Sequence, residues 1–195
     1  MKPLSLPSPW VMAQAEQWAA AVNQNTGPND KDHIKTTILD FAAGRGRHSR
    51  ALAATYPFDI LAVDRNADAL AELAAACPQI SVLIHDLEAP EDWPFARKQF
   101  DVVVVTNYLF RPRLGDLFQL VAPGGYLAYE TFGVGNAAFG RPKNPDFLLE
   151  PDELGSLLPA DFTIIDYFHG KIETPHPAII HRLAARRTAW QQSAP

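Results

Sequence analysis

The chain has 195 residues, of which 47% are hydrophobic, and its formal net charge is −5 at pH 7. This length fits one domain with a sizeable core, and the acidic balance argues against a generic nucleic-acid binder, which usually shows a basic excess. The single cysteine, Cys77, excludes an internal disulfide. Because no apolar run approaches the roughly 18 residues of a membrane span and no secretory signal is visible, we expect a cytoplasmic protein without membrane contact.

The first part of the chain predicts an extended segment, a helix, a loop and a strand. Residues 1–7 are expected to be extended, and a helix is predicted over 8–22 because Ser8 is a favourable N-cap. The polar residues 23–36 predict a loop. The apolar strand that follows reaches an acid at Asp40.

A turn of mostly small residues, 41–46 (FAAGRG), follows this strand and leads into a helix predicted over 47–55. Such a turn lets the backbone approach a ligand closely, and helix N–H groups favour a polar ligand there. The turn has two of the three glycines of the dinucleotide fingerprint, with Ser49 at the third position. Asp40 would repel a pyrophosphate but could accept hydrogen bonds from an amino group or a positive charge. The turn therefore favours S-adenosylmethionine, with its ammonium and sulfonium groups, over NAD.

Polar residues end five successive apolar strands at intervals of 21 to 24 residues. They are Asp40, Asp64, Asp86, Asn107 and Glu130. One strand–helix unit has about this length, so the spacing predicts an α/β sheet whose polar strand ends share one carboxyl edge. Intervening helices are predicted over 67–76, where Asn66 is the N-cap, and over 111–121, where Pro123-Gly124-Gly125 stops the helix.

The last part of the chain predicts a long loop, a short helix and two strands. Residues 133–150 have no regular pattern, and because a loop of this length usually has a function, we expect substrate contact there. A short helix is predicted over 151–158, and strands are predicted over 162–168 and 179–185. Residues 188–195 are expected to be a frayed tail.

These motifs resemble those of the class I S-adenosylmethionine-dependent methyltransferases. The segment LDFAAGRGRH resembles their glycine-rich first motif, with Ala42 where glycine is more usual. LAVDRN, with Asp64, resembles the ribose-binding acid, and IHDLE, with Asp86, resembles the acid on the adenine side. TNYLFRP, APGGYLAYETF and GRPKNPDFLLEPDEL most resemble small bacterial methyltransferases of the tellurite-resistance type. The resemblance covers residues 8–188.

The resemblance implies a Rossmann-like, seven-stranded, mostly parallel sheet with an antiparallel edge hairpin and helices on both faces, in a single domain over 1–195. It implies S-adenosylmethionine as the cofactor. In this interpretation Asp64 accepts from the ribose hydroxyls, Asp86 from the adenine amine and His48 contacts the methionine carboxylate, while Leu87 offers its backbone N–H to the adenine ring. The residues expected at the cofactor are Asp40, Ala42, Ala43, Gly44, Gly46, His48, Asp64, Arg65, Asp86, Leu87 and Asn107.

The expected reaction is an in-line displacement at the sulfonium methyl, to which the protein contributes mainly by holding both reactants in place. Asn107, Tyr108, Tyr129 and Glu130 are expected near the reacting edge. If the acceptor is an oxygen or a protonated nitrogen, Glu130, Tyr108 or His169 could take its proton. The scattered histidines, without cysteine partners, predict no metal site.

Three hypotheses on function stay open. The first is a methyltransferase for a small-molecule acceptor. The second is an RNA or protein methyltransferase, which needs a basic face around the cations near the C-terminus, Lys171, Arg182, Arg186 and Arg187. The third is a methyltransferase-like protein that binds the cofactor without catalysis.

Overall fold

The computed structural model describes residues 4–25, 35–95 and 97–189. The helices are α1 (Pro9–Asn25), α2 (Arg47–Thr55), α3 (Ala67–Ala76), α4 (Leu114–Gln119) and α5 (Glu153–Leu157). The strands are β1 (Thr37–Phe41), β2 (Asp59–Asp64), β3 (Ser81–Ile84), β4 (Phe100–Thr106), β5 (Val121–Phe132), β6 (Phe162–Ile172) and β7 (Ala178–Arg187). Short 3₁₀ helices cover Arg111–Arg113, Asn136–Ala138 and Pro145–Phe147.

The strands form a seven-stranded sheet in the order β3-β2-β1-β4-β5-β7-β6. β1 pairs with β2, and β2 with β3, in parallel, whereas β7 pairs antiparallel with both β5 and β6. This arrangement confirms the predicted Rossmann-like sheet, which is mostly parallel with antiparallel strands at one edge.

The chain falls into two compact units. The first comprises Met1–Trp93 and Phe100–Val104, and the second comprises Pro94–Gln99 and Val105–Pro195. The prediction of a single domain stays a prediction. Each unit is described by itself below.

In the first unit, β1 and α3 contribute fully buried apolar side chains. Ile38 and Leu39 of β1 are buried, as their unbroken apolar run predicts, and so are Leu70 and Leu73 on one face of α3. Asn66 caps α3 by accepting a hydrogen bond from the N–H of Ala69 at 3.0 Å, as predicted.

In the second unit, the three strands β5, β7 and β6 form an antiparallel ladder. Tyr129 of β5 lies opposite Leu183 of β7, and both side chains are buried. Phe118 of α4 is buried as well, and its ring lies 6.2 Å from that of Phe162 at the start of β6. The amphipathic pattern of α4 thus gives this ladder its apolar cover.

Two predicted boundaries are wrong, and both concern the connection between α4 and β5. The helix predicted over 111–121 begins as a 3₁₀ turn and ends at Gln119, and Val121 already belongs to β5. Pro123, which was expected to stop the helix, lies inside β5. Its missing N–H is tolerated because the ladder between β5 and β7 begins only at Tyr126.

The remaining boundaries differ by length. α1 continues to Asn25, and β6 and β7 extend beyond their predicted ends because their ladder continues to the pair of Ile172 and Ala178. The predicted segments 1–7, 23–36 and 188–195 lie partly outside the described residues. Within the described residues, no helix is both long and apolar enough to cross a membrane.

Candidate functional site

A left-handed turn follows β1 directly and leads into α2. Ala42, Gly44 and Gly46 have positive φ angles of 58°, 57° and 68°. Gly46 donates its N–H to the carbonyl of Ala43, and Ala43 donates to the carbonyl of Val63 at the end of β2, both at 2.9 Å. Glycine adopts this conformation freely, whereas it costs another residue roughly 1–2 kcal/mol. Ala42 is therefore strained, which explains why glycine is the more usual residue at this position.

The two glycines of the turn are needed for different reasons. A Cβ at Gly46 would lie 2.5 Å from Cδ2 of Leu73, so this glycine allows α3 to pack against the turn. A Cβ at Gly44 would meet no atom of the described residues within 4 Å. The backbone of Gly44 therefore borders open space, where a ligand can approach it closely.

Asp64, the last residue of β2, holds the turn in place. Its Oδ2 accepts a hydrogen bond from the N–H of Gly44 at 2.7 Å, and its Oδ1 accepts one from the N–H of Asn66 at 2.8 Å. The side chain is only half-buried. A carboxylate has about four lone-pair sites, so Asp64 keeps acceptor capacity for hydroxyl donors while it shapes the turn.

Asp40 is a buried acid near the end of β1, with 1% of its surface exposed. Its Oδ2 accepts hydrogen bonds from the hydroxyl of Ser49 at 2.5 Å and from the N–H of Ser49 at 3.1 Å. Burial raises the pKa of Asp40 to about 6, although the bonds from Ser49 and the charge of Arg47 oppose this. Oδ1 is buried without a hydrogen-bond partner among the described residues, so Asp40 can still accept from a donor on a ligand.

His48 connects α2 to the start of α1. Its Nε2 accepts a hydrogen bond from the N–H of Ser8 at 3.0 Å, and the side chain is buried. Burial, and then the charge of Arg47, lower the pKa of His48 to about 3, so the imidazole is neutral. Arg47 itself donates to the carbonyl of Leu6 at 3.2 Å. The predicted contact of His48 with a methionine carboxylate stays a prediction, and in the structure the residue fixes the N-terminal segment.

Asp86 and Leu87 follow β3. Asp86 is exposed, and its carboxylate accepts a hydrogen bond from the N–H of Glu88 at 3.1 Å. Leu87 is buried, and its backbone carbonyl accepts a hydrogen bond from the indole N–H of Trp93 at 3.1 Å. The ring of Trp93 meets Phe41 of β1 edge-on at 5.2 Å. The structure therefore fixes the backbone at Leu87 rigidly. Arg65, directly after β2, is exposed.

Three residues of this region were missed from the sequence: Ser8, Ser49 and Trp93. In the sequence Ser49 stands out only as a departure from the glycine fingerprint, yet its hydroxyl is the main partner of Asp40. Ser8 was assigned to the start of a helix, and nothing local pairs it with a histidine 40 residues away. Trp93 lies in a loop without periodicity, so no sequence signal indicates its contact with Leu87.

A family model described as a methyltransferase domain matches residues 38–125 of this chain. The matched stretch contains the turn and the three acids at the ends of the first strands. Residues 38–125 match a methyltransferase domain, as predicted. A comparison with curated proteins gives no match.

Solved structures with the fold of this methyltransferase domain are similar at low sequence identity. TehB from Haemophilus influenzae has a TM-score of 0.65 and 18% identity over 89% of this chain, which spans 62% of the length of TehB. The plantazolicin methyltransferase BpumL, solved with a pentazolic desmethylPZN analog and SAH, has a TM-score of 0.63 and 13% identity over 93% of this chain and 86% of its own. The cyclase SpnF has a TM-score of 0.61 and 14% identity over 96% of this chain and 85% of its own. Likeness at these identities shows the fold.

In the second unit, residues predicted at the reacting edge of the methyltransferase meet after β4. Asn107 has a φ of 54° and donates its N–H to the carbonyl of Glu130 at 2.9 Å. The hydroxyl of Tyr129 donates to the carbonyl of Tyr108 at 2.8 Å. Burial raises the pKa of Tyr129 far above its ordinary value, so this hydroxyl is a fixed donor. Asn107 and Tyr108 are thus held by backbone and side chain of β5.

The other two candidate proton acceptors have neighbours of their own. The carboxylate of Glu130 is buried and accepts from Nε of Arg182 at 2.7 Å, so its charge is compensated. His169 is exposed on β6, and its ring stacks at 4.1 Å on that of the buried His181. Burial, and then the neighbouring His169, lower the pKa of His181 to about 4.

In the described residues, no group of three or more metal-ligating side chains is arranged to hold a metal ion.

Arg111 fixes one side of the loop over 133–150. Its guanidinium forms a two-pronged ion pair with Glu153, at 2.5 and 2.9 Å, and donates to the carbonyls of Asp146 and Leu148, both at 2.8 Å. Since Arg111 lies just beyond the end of β4, it ties the loop to the segment that carries Asn107.

Asn136 fixes the other side of the same loop. Its side chain is buried, donates to the carbonyl of Pro142 at 3.3 Å and accepts from the N–H of Ile179 on β7 at 3.2 Å. Gly133 and Leu149 form an additional bridge across the base of the loop. Loop 133–150 is therefore held at both ends and in its interior.

The four cations near the C-terminus all have partners within the chain. Lys171 pairs with Glu173 at 2.8 Å, and Arg182 with Glu130 at 2.7 Å. Arg187 pairs with Asp161 at 2.7 Å and donates to the carbonyl of Val121 at 2.8 Å. Arg186 donates to the carbonyl of Gly124 at 3.1 Å and lies 5.4 Å from the ring of Tyr126.

Proposed function

We propose that this chain is an S-adenosylmethionine-dependent methyltransferase that transfers a methyl group, in line, to a small-molecule acceptor. The observation that carries the proposal is the arrangement of the first unit, where the buried Asp40 and the half-buried Asp64 lie at the carboxyl ends of the parallel strands β1 and β2 and the bare turn at Gly44 follows β1. When bound, the cofactor supplies an activated methyl group, so the chain need only bind and orient both reactants.

The residues of the first unit fit this cofactor. Oδ1 of Asp40 can accept from the ammonium of the methionine moiety, because it is buried without a partner among the described residues. Asp64 can accept from the ribose hydroxyls with its remaining lone pairs. The open space beside Gly44 admits the ligand to the backbone, and Asp86 is exposed for the adenine amine. The complex of BpumL with SAH supports this cofactor for the fold.

Loop 133–150 supports a small-molecule acceptor. Although its backbone is held firmly, Val134, Phe139 and Phe147 leave 42, 42 and 47% of their surfaces exposed. Apolar side chains that a fixed loop leaves exposed are accessible to the apolar part of a ligand. We propose that the loop binds the apolar part of the acceptor beside Asn107 and Tyr108, and that positioning supplies most of the rate, at best ~7–11 kcal/mol of the barrier.

An RNA methyltransferase receives less support. The basic face that it requires would be built from the four C-terminal cations, and each of these already pairs with an acid, a carbonyl or a ring of the same chain. Such cations would have to exchange these partners for phosphates, which lowers the gain from counterion release.

The similarity to the cyclase SpnF favours keeping one alternative, in which the fold serves a reaction other than methyl transfer. Formation of S-adenosylhomocysteine decides between the two. We expect it to accumulate when the full chain is incubated with S-adenosylmethionine and a panel of apolar alcohols, amines and thiols. If the cofactor binds and no acceptor yields the thioether product, the proposed reaction is wrong.

Cofactor binding is tested first by thermal unfolding with S-adenosylhomocysteine and, separately, with NAD. A ligand at a hundredfold over its Kd stabilises the folded state by about 2.7 kcal/mol, which raises the midpoint by several degrees for a chain of this size. We expect this shift with S-adenosylhomocysteine and not with NAD. A shift with NAD and none with the thioether contradicts the proposal.

Asp64→Asn then tests the site itself. Asparagine keeps an acceptor for Gly44 but loses the charge, so we expect the affinity for S-adenosylhomocysteine to fall more than tenfold in a calorimetric titration, about 1.4 kcal/mol or more. The matched control is Asp59→Asn, at the opposite end of β2, where the side chain is exposed. Equal affinities of the two variants would remove Asp64 from the site.

A further inference from the structure

His181 on β7 is a buried histidine that lacks hydrogen bonds through its ring. Only 1% of its surface is exposed, and among the described residues neither Nδ1 nor Nε2 has a hydrogen-bond partner. A neutral imidazole carries one N–H donor and one nitrogen acceptor, and each costs stability when it is left unpaired in the interior. Because buried polar groups in proteins are normally paired, the ring needs a partner that the described residues do not supply.

The groups that surround this ring are already engaged elsewhere. The carbonyl of Leu149 favours the protonated imidazole, but it accepts from the N–H of Val134 at 3.0 Å and forms no hydrogen bond with the ring. Glu153 acts on the ring in the same direction through its charge, and its carboxylate is held by the guanidinium of Arg111. His169 of β6 stacks on the face of the ring, with the centroids 4.1 Å apart, and so uses neither nitrogen. The described chain therefore leaves both nitrogens to a group from outside, either water or a ligand.

Gly133, the first residue of loop 133–150, makes room for one of the two nitrogens. A Cβ at this position would lie 2.6 Å from Cδ2 and 2.7 Å from Nε2 of His181, which is closer than a Cβ approaches other atoms. Nε2 therefore faces the base of the loop at the point where the chain has no side chain. The exposed apolar side chains of this loop are those proposed to contact the acceptor, and ligand sites combine such apolar groups with a few polar ones.

We propose that His181 is the polar anchor of the acceptor site, where Nε2 forms a hydrogen bond with the hydroxyl group of an apolar alcohol or phenol. The proposal rests on the proposed function and narrows the class of its acceptor. A hydroxyl group both donates and accepts, so it satisfies the imidazole in either tautomer. A charged acceptor gains less, because burial lowers the pKa of His181 to about 4 and the ring is neutral at pH 7. Such an acceptor would lose its hydration beside an uncharged, buried ring.

Phenol and toluene test the hydrogen bond, because they have the same shape and differ by the hydroxyl group. We expect phenol, and not toluene, to shift the ring ¹⁵N resonances of His181 in NMR titrations of the full chain. The ratio of the Kd of toluene to that of phenol should fall by about fivefold in His181→Leu, as one net hydrogen bond predicts. His181→Gln, whose amide can replace Nε2, should keep part of the wild-type ratio.

Tyr167→Phe is the matched control on the same face of the ladder between β6 and β7. The hydroxyl of Tyr167 donates to Oδ1 of Asp152 at 3.0 Å and accepts from its N–H at 3.1 Å, so it already has its partners. We expect this variant to keep the wild-type ratio of the two Kd values. A ratio that His181→Leu leaves unchanged overturns the proposal. Ring resonances that phenol does not shift in the wild-type chain overturn it as well, even if the variants fail to fold, and assign the partner of the ring to water.

Urea unfolding at pH 7 gives a second measurement that needs no ligand. If the ring is kept for an acceptor, its unpaired nitrogens destabilise the free chain, so we expect His181→Leu to unfold at a higher urea concentration than the wild type. Tyr167→Phe should unfold at a lower one, because it loses two bonds within the chain. A loss of stability in His181→Leu equal to that in Tyr167→Phe would show a structural role for the ring and overturn the proposal.

The outcome for His181 is distinguishable from the outcome for the cofactor. The titrations and the urea unfolding are made without S-adenosylmethionine or its product. His181→Leu should keep the thermal shift with S-adenosylhomocysteine, because Asp40, Gly44 and Asp64 lie in the first unit. Failure of the phenol titrations together with a normal thermal shift therefore rejects the acceptor anchor alone.

Discussion

Ala42 occupies a backbone conformation that glycine adopts at lower cost. With φ at 58°, the alanine carries a penalty of roughly 1–2 kcal/mol, which glycine would remove. Glycine in turn costs about 0.5–1 kcal/mol because it loses more conformational entropy on folding. We expect Ala42→Gly to raise the free energy of unfolding by about 0.5–1 kcal/mol in urea titrations. Ala43→Gly, one residue later and without a positive φ, is the control and should not stabilise. A destabilised Ala42→Gly variant would show that the methyl group has a packing role.

If Asp40 accepts from the ammonium of the cofactor as proposed, cofactor affinity should depend on pH. Because its pKa is raised to about 6, the free protein holds this carboxyl mostly protonated at pH 5 and mostly ionised at pH 7. An ammonium ligand prefers the carboxylate, so binding at the lower pH must first remove the proton. We expect the affinity for S-adenosylhomocysteine to rise by about tenfold from pH 5 to pH 7.

The same titrations with Asp40→Asn identify the residue responsible. Asparagine can still accept from Ser49 but does not ionise in this range, so binding should be weaker and nearly independent of pH. Asp59→Asn should keep the wild-type slope. An unchanged slope in Asp40→Asn would assign the pH dependence to another group.

At the level of elements, Arg111 is the residue on which the fixed shape of loop 133–150 depends. Arg111→Ala removes two bonds to Glu153 and leaves the carbonyls of Asp146 and Leu148 without this donor. We expect a loss of about 2 kcal/mol in the free energy of unfolding and faster hydrogen exchange over 145–149.

Arg113→Ala is the matched control for that experiment. Arg113 lies two residues further on and pairs with Asp116, whose side chain is 61% exposed, within the same helical segment. Such a pair contributes only about 0.5 kcal/mol or less. Equal effects of the two variants would mean that Arg111 does not hold the loop.

The same elements show which parts of the fold a sequence can predict. β1, the turn, α2, β2 and α3 were predicted closely because each has a local cause: apolar runs, small residues and the cap at Asn66. α4 and β5 were misplaced because Pro123 and two glycines look like a helix stop, while the absence of a β7 partner before Tyr126 is a long-range property. The positions of Asp40 and Asp64 at the ends of β1 and β2 were predictable from spacing, whereas the bond from Ser8 to His48 depends on tertiary contact.

At the scale of the whole molecule, three buried groups contribute most to the change of stability with pH near pH 5, and Glu153, whose pKa is lowered by its hydrogen bond with Arg111, adds to it in the same direction as the histidines. The pKa values of His48 and His181 are lowered to about 3 and about 4, so both stay neutral in the folded chain where the unfolded chain, at 6.5, protonates them. Asp40 behaves oppositely, since its pKa is raised from 3.8 to about 6. Near pH 5 the unfolded state thus binds two protons at these histidines, whereas the folded state binds one at the aspartate. The unfolded state therefore binds about one proton more, and the free energy of unfolding rises with pH with the slope that one proton gives.

Urea unfolding at several pH values between about 4.5 and 5.5 measures this slope. Asp40→Asn should steepen it to about two protons, and His181→Leu should reduce it to nearly zero. A wild-type chain whose stability falls with rising pH in this range would contradict the assignment.

The bond between Gly44 and Asp64 limits how the proposed cofactor site could be redesigned. A change of ribose preference would call for a neutral or basic side chain in place of Asp64, because this acid is proposed to accept from the ribose hydroxyls. Here that exchange would also withdraw the acceptor that holds the N–H of Gly44. A library that varies position 64 would therefore have to vary 42–46 together with it.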